Sequence, residues 1–244
     1  MLDHGFSTDL QLGDIRGYTL TKELLLKRMA SIIAAIVLTV VLASPSHAGI
    51  GVAGRAGTLG LGVEVTQSLI PMVNVRGGLN WFNYSFDGTE SGIRYNMDLK
   101  LKSFTALLDL HPIPLLGFRL SGGIVFNQNG IDGVTDQIVS SINIGGQDYT
   151  ESGTLESSID FKSTAPYLGI GWGNAANSRI GIAIDLGVAF QGSPQTDLRV
   201  TGSLASAPGV QSSIQQEERE LQDALDGFKY YPVLSVGLSF KITP

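Results

Sequence analysis

A chain of 244 residues with 43% apolar and 16% charged residues and 31 glycines is too apolar for a disordered segment and too poor in charge for a typical cytosolic enzyme, and it suits one core of ordinary size. The absence of cysteine excludes disulfides, thiol nucleophiles and thiolate metal sites. A net charge of −6 argues against a nucleic-acid partner, whose phosphates call for a basic surface.

The first element is a leader. Lys27-Arg28 precedes an uncharged apolar run from Met29 to Leu42, followed by Ala43-Ser-Pro-Ser-His-Ala48. A basic region, a short apolar region and small residues at Ser46 and Ala48 are the parts of a secretory signal. The run is shorter than the roughly 20 residues that a spanning helix needs. The expected division is an N-terminal extension with a cleavable signal peptide over 1–48 and a mature domain over 49–244.

Beyond the leader the apolar residues recur with a period of two. Leu59, Leu61, Val63 and Val65 oppose Thr58, Gly60, Gly62 and Glu64, and Val73, Val75, Leu79 and Trp81 oppose Asn74, Arg76, Gly78 and Asn80. Leu99 and Leu101 oppose Asp98, Lys100 and Lys102, and Phe118, Leu120, Ile124 and Phe126 oppose Arg119, Ser121, Val125 and Asn127. The clearest run is Ile180 to Phe190, with Ile182, Ile184, Leu186 and Val188 on one face and Gly181, Ala183, Asp185, Gly187 and Ala189 on the other. In the last strand Leu234, Val236, Leu238, Phe240 and Ile242 oppose Ser235, Gly237, Ser239 and Lys241. A large apolar face about 11 residues long, opposite a face of small and polar residues, fits a tilted strand crossing a hydrocarbon layer.

Seven strong strands are predicted, at 56–66, 72–86, 93–110, 117–131, 154–172, 179–204 and 229–242. A bacterial single-chain barrel has an even number, so one more is expected, first in the glycine-rich Gly49 to Arg55 and second in Ile142 to Thr150. The predicted fold is all-β, an antiparallel transmembrane β-barrel of about 8 strands, with 10 as the alternative. Short turns near Gln67 to Pro71, His111 to Leu116 and Gly173 to Ser178 alternate with longer connections, the pattern of periplasmic turns and external loops. In one long loop Ser213 to Asp226 reads as a short acidic helix, with Ile214, Leu221 and Leu225 on one side, capping the outer mouth or lying on the external surface.

The residues Glu64, Arg76, Asp98, Lys100, Lys102, Arg119, Asp160, Lys162 and Asp185 form the candidate lumen charge cluster. Ion pairs filling a narrow barrel are favoured over a polar conduit, because about eight strands leave an interior that side chains fill. Gly49-Ile-Gly-Val-Ala-Gly54 matches a dinucleotide fingerprint in letters but lacks the preceding strand and following helix that the motif requires. His111, the one histidine left after cleavage, reads as a turn residue rather than a general base. No catalytic set, cofactor site or metal site is expected. Asp132 to Asp160 carries six acids and no base, so close approach to lipopolysaccharide phosphates would require bridging divalent cations.

The mature chain resembles small proteobacterial outer-membrane β-barrel proteins that carry no assigned activity. The resemblance rests on Gly57-Thr-Leu-Gly-Leu-Gly-Val-Glu-Val65, Ser91-Gly-Ile-Arg-Tyr95, Asp98-Leu-Lys-Leu-Lys102, Asp109-Leu-His-Pro112, Ala165-Pro-Tyr-Leu-Gly-Ile-Gly-Trp-Gly-Asn174, Phe190-Gln-Gly-Ser-Pro194 and 221–233. It implies an outer-membrane location, with contacts to outer-membrane lipids, lipopolysaccharide and the barrel-assembly machinery. Phe240 and Ile242 carry the expected assembly signal, although the chain ends Thr243-Pro244 where such proteins end in an aromatic residue. The expected role is structural or interactive; a narrow channel for small or amphipathic solutes and a lipid-modifying barrel enzyme are the alternatives.

Overall fold

Strands with one apolar and one polar face, joined mostly to their neighbours in sequence, remove their exposed edges by closing on themselves. The computed structural model describes residues 49–242 apart from 91–92, 114–115, 139–140 and 177; the expected signal peptide lies outside the described residues. The strands are β1 (Ile50–Gly57), β2 (Gly60–Ile70), β3 (Val73–Glu90), β4 (Ile93–Leu110), β5 (Phe118–Asn127), β6 (Gly130–Thr135), β7 (Ile142–Ile144), β8 (Gln147–Tyr149), β9 (Leu155–Asp160), β10 (Thr164–Trp172), β11 (Ile180–Phe190), β12 (Gln195–Val200) and β13 (Tyr230–Lys241). Helix α1 (Val210–Ala224) precedes β13.

Eight strands form a closed antiparallel barrel in the order β1-β2-β3-β4-β5-β10-β11-β13, with β13 pairing back onto β1. The missing strand is the glycine-rich one: β1 closes the barrel from Gly51↔Lys241 to Gly57↔Ser235. The second candidate, Ile142 to Thr150, holds the separate hairpin β7–β8. Three predicted strands are each two: 117–131 divides into β5 and β6, 154–172 into β9 and β10, and 179–204 into β11 and β12.

The short turns β2–β3, β4–β5 and β10–β11 share one end of the barrel with both chain ends of the domain, and the long connections share the other. Around the outside runs an uncharged belt that includes Leu61, Val63, Leu79, Leu108, Leu168, Ile182, Ile184, Leu234 and Val236, all exposed. Aromatic residues border it: Phe118 pairs with Trp172 at the short-turn end, and Phe104 meets Phe126 and Phe190 meets Tyr230 towards the other. These are the apolar band and girdles of a transmembrane barrel. No helix of the described residues is long and apolar enough to cross a membrane.

Beyond the belt one side of the wall continues. The first half of β4 pairs with β6, which pairs with β9 and then β12, so β3-β4-β6-β9-β12 stand above the barrel as an open half-cylinder. Here the chemistry of the two faces reverses while the pleat does not. In β3 the outward residues are Val73, Val75, Leu79 and Trp81, but from Phe82 onward the apolar residues Phe82, Tyr84 and Phe86 stand on the inward face. In β4 the outward residues are Leu110, Leu108, Ala106 and Phe104, and then Lys102, Lys100 and Asp98. Trp81 pairs with Lys102, so both strands reverse at one level, as expected where a wall leaves lipid for water.

Inside this half-cylinder Ile93, Ile138, Ile142, Ile144, Tyr149, Leu198, Leu204, Val210 and Ile214 form a buried core, with Leu221 against it. Helix α1 thus caps the mouth of the wall. Glu217 accepts the Gly145 N–H (2.8 Å) and Glu218 the Leu198 N–H (2.9 Å), so two of its acids hold the cap in place.

Ile184→Arg puts a charge on the belt near mid-height and should destabilise the folded barrel by roughly 2–4 kcal/mol. Lys100→Leu, on the same outer face but above the reversal, should cost under about 0.5 kcal/mol. Equilibrium unfolding in bilayers checks both; a Lys100→Leu gain in stability comparable in size to the Ile184→Arg loss would put the reversal inside the membrane.

Candidate functional site: a buried ion network in the lumen

The barrel interior is filled in layers. At the short-turn end the β10–β11 turn folds inward, burying Asn174, Ala175 and Ala176 beside Gln67, Asn74 and His111. Asn74 Nδ2 donates to Asn174 Oδ1 (3.1 Å), which also accepts the Ala176 N–H (3.2 Å). Further in lies a network of six ions, then an apolar layer of Leu107, Val125, Ala165, Tyr167, Ala189 and Val233. Above that, Asn127 Nδ2 donates to Gln191 Oε1 (3.1 Å) and Gln191 Nε2 to the Phe228 carbonyl (2.9 Å).

Arg76 is the centre of the network. Its Nη1 lies 3.1 Å from both Glu64 Oε2 and Asp185 Oδ2, its Nε 2.8 Å from Asp109 Oδ2, and its Nη2 3.0 Å from Asp109 Oδ1. Arg55 Nη1 donates to Glu64 Oε1 (2.7 Å) and its Nη2 to Ser235 Oγ (3.1 Å), and it also pairs with Asp185. Arg119 Nη2 donates to Asp185 Oδ1 (2.9 Å) and its Nη1 to the Gly173 carbonyl. Ser121 Oγ donates to Asp109 Oδ1 (2.6 Å). Three cations meet three anions, every one buried. In a low-dielectric interior such charges persist only when fully paired and hydrogen-bonded.

Space for Arg55 and Arg119 comes from missing side chains. A Cβ on Gly171 would lie 2.7 Å from Asp185 Oδ1 and 2.8 Å from Arg119 Nε, and one on Gly237 would lie 3.0 Å from Arg55 Cγ. The void beside the network, bounded by Arg55, Arg76, Asn80, Tyr167 and Ser235, is about 40 Å³, the scale of single water molecules rather than of a solute.

Of the expected cluster, Glu64, Arg76, Arg119 and Asp185 come together here. Asp98, Lys100, Lys102, Asp160 and Lys162 do not line the lumen. Asp98, Lys100, Lys102 and Asp160 lie on the outer face of the half-cylinder, and Lys162 is exposed in the β9–β10 connection. Lys100 Nζ donates to Asp132 Oδ2 (2.6 Å) on that outer face. The sequence reading missed Arg55 and Asp109. Arg55 belongs to a glycine-rich strand with little alternation. Asp109 follows the reversal in β4, so extending the phase of Asp98 and Lys100 placed it on the wrong face; the switch of apolar residues from Leu99 and Leu101 to Phe104, Ala106 and Leu108 was the available signal.

His111 follows Asp109 into the foot of the barrel, and its ring is almost fully buried with neither nitrogen hydrogen-bonded. Burial pushes its pKa below the ordinary value, and Arg119 and Arg76 push the same way against Asp109. The imidazole is therefore neutral near pH 7. Among the described residues no His, Asp and Glu group could hold a metal ion.

The closed eight-strand sheet and the belt together define a transmembrane β-barrel. The crystal structure of Acinetobacter baumannii CarO2 is similar to this chain at a TM-score of 0.56 with 20% identity, covering 79% of this chain and 98% of that one. That of Acinetobacter baumannii CarO is similar at 0.53 with 21% identity, covering 78% and 96%. Both are outer-membrane β-barrel proteins, and at this identity they share the fold alone. No protein-family model matches the chain, and no curated protein does.

Arg76→Met leaves Glu64, Asp109 and Asp185 short of a cation, and should cost about 3–5 kcal/mol, the usual effect of breaking a buried pair from one side. Adding Asp109→Leu should recover part of that loss. Unfolding of the single and double variants in detergent checks this, and additive costs would mean that the two residues are not coupled.

Proposed function

We propose that this chain is an outer-membrane β-barrel protein with a plugged lumen and no enzymatic activity, whose role is structural or interactive and is exercised by its external portion. The observation that carries this reading is the six-ion network, flanked by a polar layer on one side and an apolar layer on the other, beside a void of about 40 Å³. A conduit would need a path through charges that already satisfy one another. The fold shared with CarO2 and CarO supports the location, with the short turns in the periplasm and the half-cylinder outside. Outer-membrane lipids meet the belt, and lipopolysaccharide meets the wall above it. The enzyme alternative finds little support, since His111 is 1% exposed and neither of its ring nitrogens is hydrogen-bonded to an acid or a serine.

In planar bilayers the purified protein should show little or no steady conductance. Neutralising Lys100 and Lys102 together should leave that silence unchanged, because both stand outside the lumen. Arg55→Gln with Arg119→Gln should raise the frequency of brief openings, since it leaves buried carboxylates underpaired. A large, stable wild-type conductance would reject the plug and promote the narrow channel.

The same reading takes β13 as the strand recognised during assembly. Phe240 and Ile242 are exposed on its outer face, and its other edge closes the barrel against β1. Phe240→Ser with Ile242→Ser should lower the folded population in the outer membrane, seen as lost heat-modifiable gel mobility. Normal abundance and mobility would remove these residues from the assembly signal.

A further inference from the structure

The half-cylinder has two free edges, and the chain treats them differently. The β12 edge is covered: α1 packs along it, Glu218 accepts the Leu198 N–H, and Thr196 Oγ1 donates to the Glu218 carbonyl. The β3 edge is bare. β2 leaves β3 at the pair Leu61↔Trp81, and among the described residues no strand pairs with Phe82 to Glu90 on the side away from β4. Residues 81–89 are exposed on both faces of the strand. Natural edges are normally blunted by charged side chains, above all lysine, by proline, by a bulge or by a covering element. Phe82 to Phe86 has no charge and no proline, Asp87 and Glu90 being the charges of 82–90, and the register with β4 is unbroken.

Beside this edge the inward face carries a stacked aromatic ladder. Phe82 and Tyr84 have ring centroids 6.4 Å apart, Tyr84 and Phe86 6.0 Å apart, and the three remain 40%, 55% and 43% exposed. Spacing at every second residue is that of the side chains of an added strand. The external portion as a whole is acidic: residues 82–102, 128–163 and 191–229 hold 15 acidic and 7 basic residues, a net of −8, with 82–102 balanced at three against three and the excess carried by the other two segments, whereas the lumen network is balanced.

We propose that the β3 edge captures an extended, cationic polypeptide segment with apolar residues at alternate positions, by strand addition. The backbone edge supplies the hydrogen bonds, the aromatic ladder takes the alternate apolar side chains, and the acidic external portion selects a basic partner. A second copy of this chain does not fit the edge. Two copies in one membrane share an orientation, so their β3 strands run the same way and cannot form the antiparallel ladder that the rest of the sheet uses. The proposal rests on the interaction role given above, and the two fail separately, because conductance is read without the peptide.

The test uses the mature protein in nanodiscs of zwitterionic lipid. The probe is an end-capped peptide of alternating valine and lysine, long enough to span Phe82 to Glu90, with a proline at the centre of the control peptide. Binding is followed by fluorescence titration and by hydrogen exchange. The expected result is saturable binding that slows exchange in 82–90 and weakens with added salt. Binding should also be about tenfold weaker for the proline control, a loss equivalent to ~1.4 kcal/mol. Phe82→Ser with Tyr84→Ser and Phe86→Ser should weaken it by a similar factor, in a preparation whose heat-modifiable mobility shows a folded barrel. The wild-type exchange map decides the matter even if that variant does not fold. Unchanged exchange in 82–90 at saturation overturns the proposal. So do equal affinity for the proline control, equal binding to discs without protein, and 82–90 amides already protected by a dimer.

Discussion

Everything inside the barrel answers to one electrostatic constraint: three arginines and three carboxylates are buried away from bulk water, so each must find its counter-charge in the protein. Arg55 comes from β1, Glu64 from β2, Arg76 from β3, Asp109 from β4, Arg119 from β5 and Asp185 from β11, while Ser235 joins from β13. The eighth strand, β10, contributes an absence, since Gly171 leaves the volume that the Arg119–Asp185 pair occupies. Every strand is therefore committed to one arrangement of the closed barrel. A slip of one residue in any of the six strands that carry these ions would turn its charge outward into lipid. Whatever its net contribution to stability, such a network discriminates strongly between registers.

The same constraint explains what the sequence showed and what it hid. Strands that stay in the membrane for their whole length were legible: β11 and β13 alternate without interruption, and their outward isoleucine, leucine and valine residues stand where the period of two put them. β3 and β4 were legible as strands but not as faces. Each keeps a strict pleat through the level of Trp81 and Lys102 while its solvent changes from lipid to water. Within lipid the apolar residues face out, and above it they face in around a core. A reading that carries one phase through such a strand assigns half of it correctly and half in reverse, which is how Lys100 came to be placed in the lumen and Asp109 was overlooked.

The lumen shows a related limit. Glu64, Arg76, Arg119 and Asp185 could be gathered from sequence because each stands opposite a clear apolar stripe. Arg55 could not, because its neighbours Gly54 and Ala56 present almost no apolar face to lipid. On its inward face β1 is held to small residues: a Cβ on Gly51 would fall 2.2 Å from the Ala175 carbonyl oxygen and one on Gly57 2.1 Å from the Leu234 carbonyl oxygen, where β1 meets the inward-folded β10–β11 turn and β13. The outward Gly54 has open space around it, and nothing in the structure explains the missing apolar residue there.

The distribution of charge also separates two tasks along the barrel axis. Within the membrane the charges cancel over distances of about 3 Å, and of the network's buried guanidinium nitrogens only Arg76 Nε and Arg119 Nε lack a hydrogen-bond partner. Outside it the acids outnumber the bases by eight, and many stand on the outer face of the half-cylinder, where water solvates them. The open edge and the aromatic ladder lie on the external side of that division, beside the one flank that α1 does not cover. A wall that needed only to be stable would have closed this edge as it closed β12, with a side chain from the helix. Under the proposed strand addition, the contrast between the capped and uncapped edges of a single sheet puts interaction on β3, above the membrane, and the lumen network fixes the register on which that wall stands.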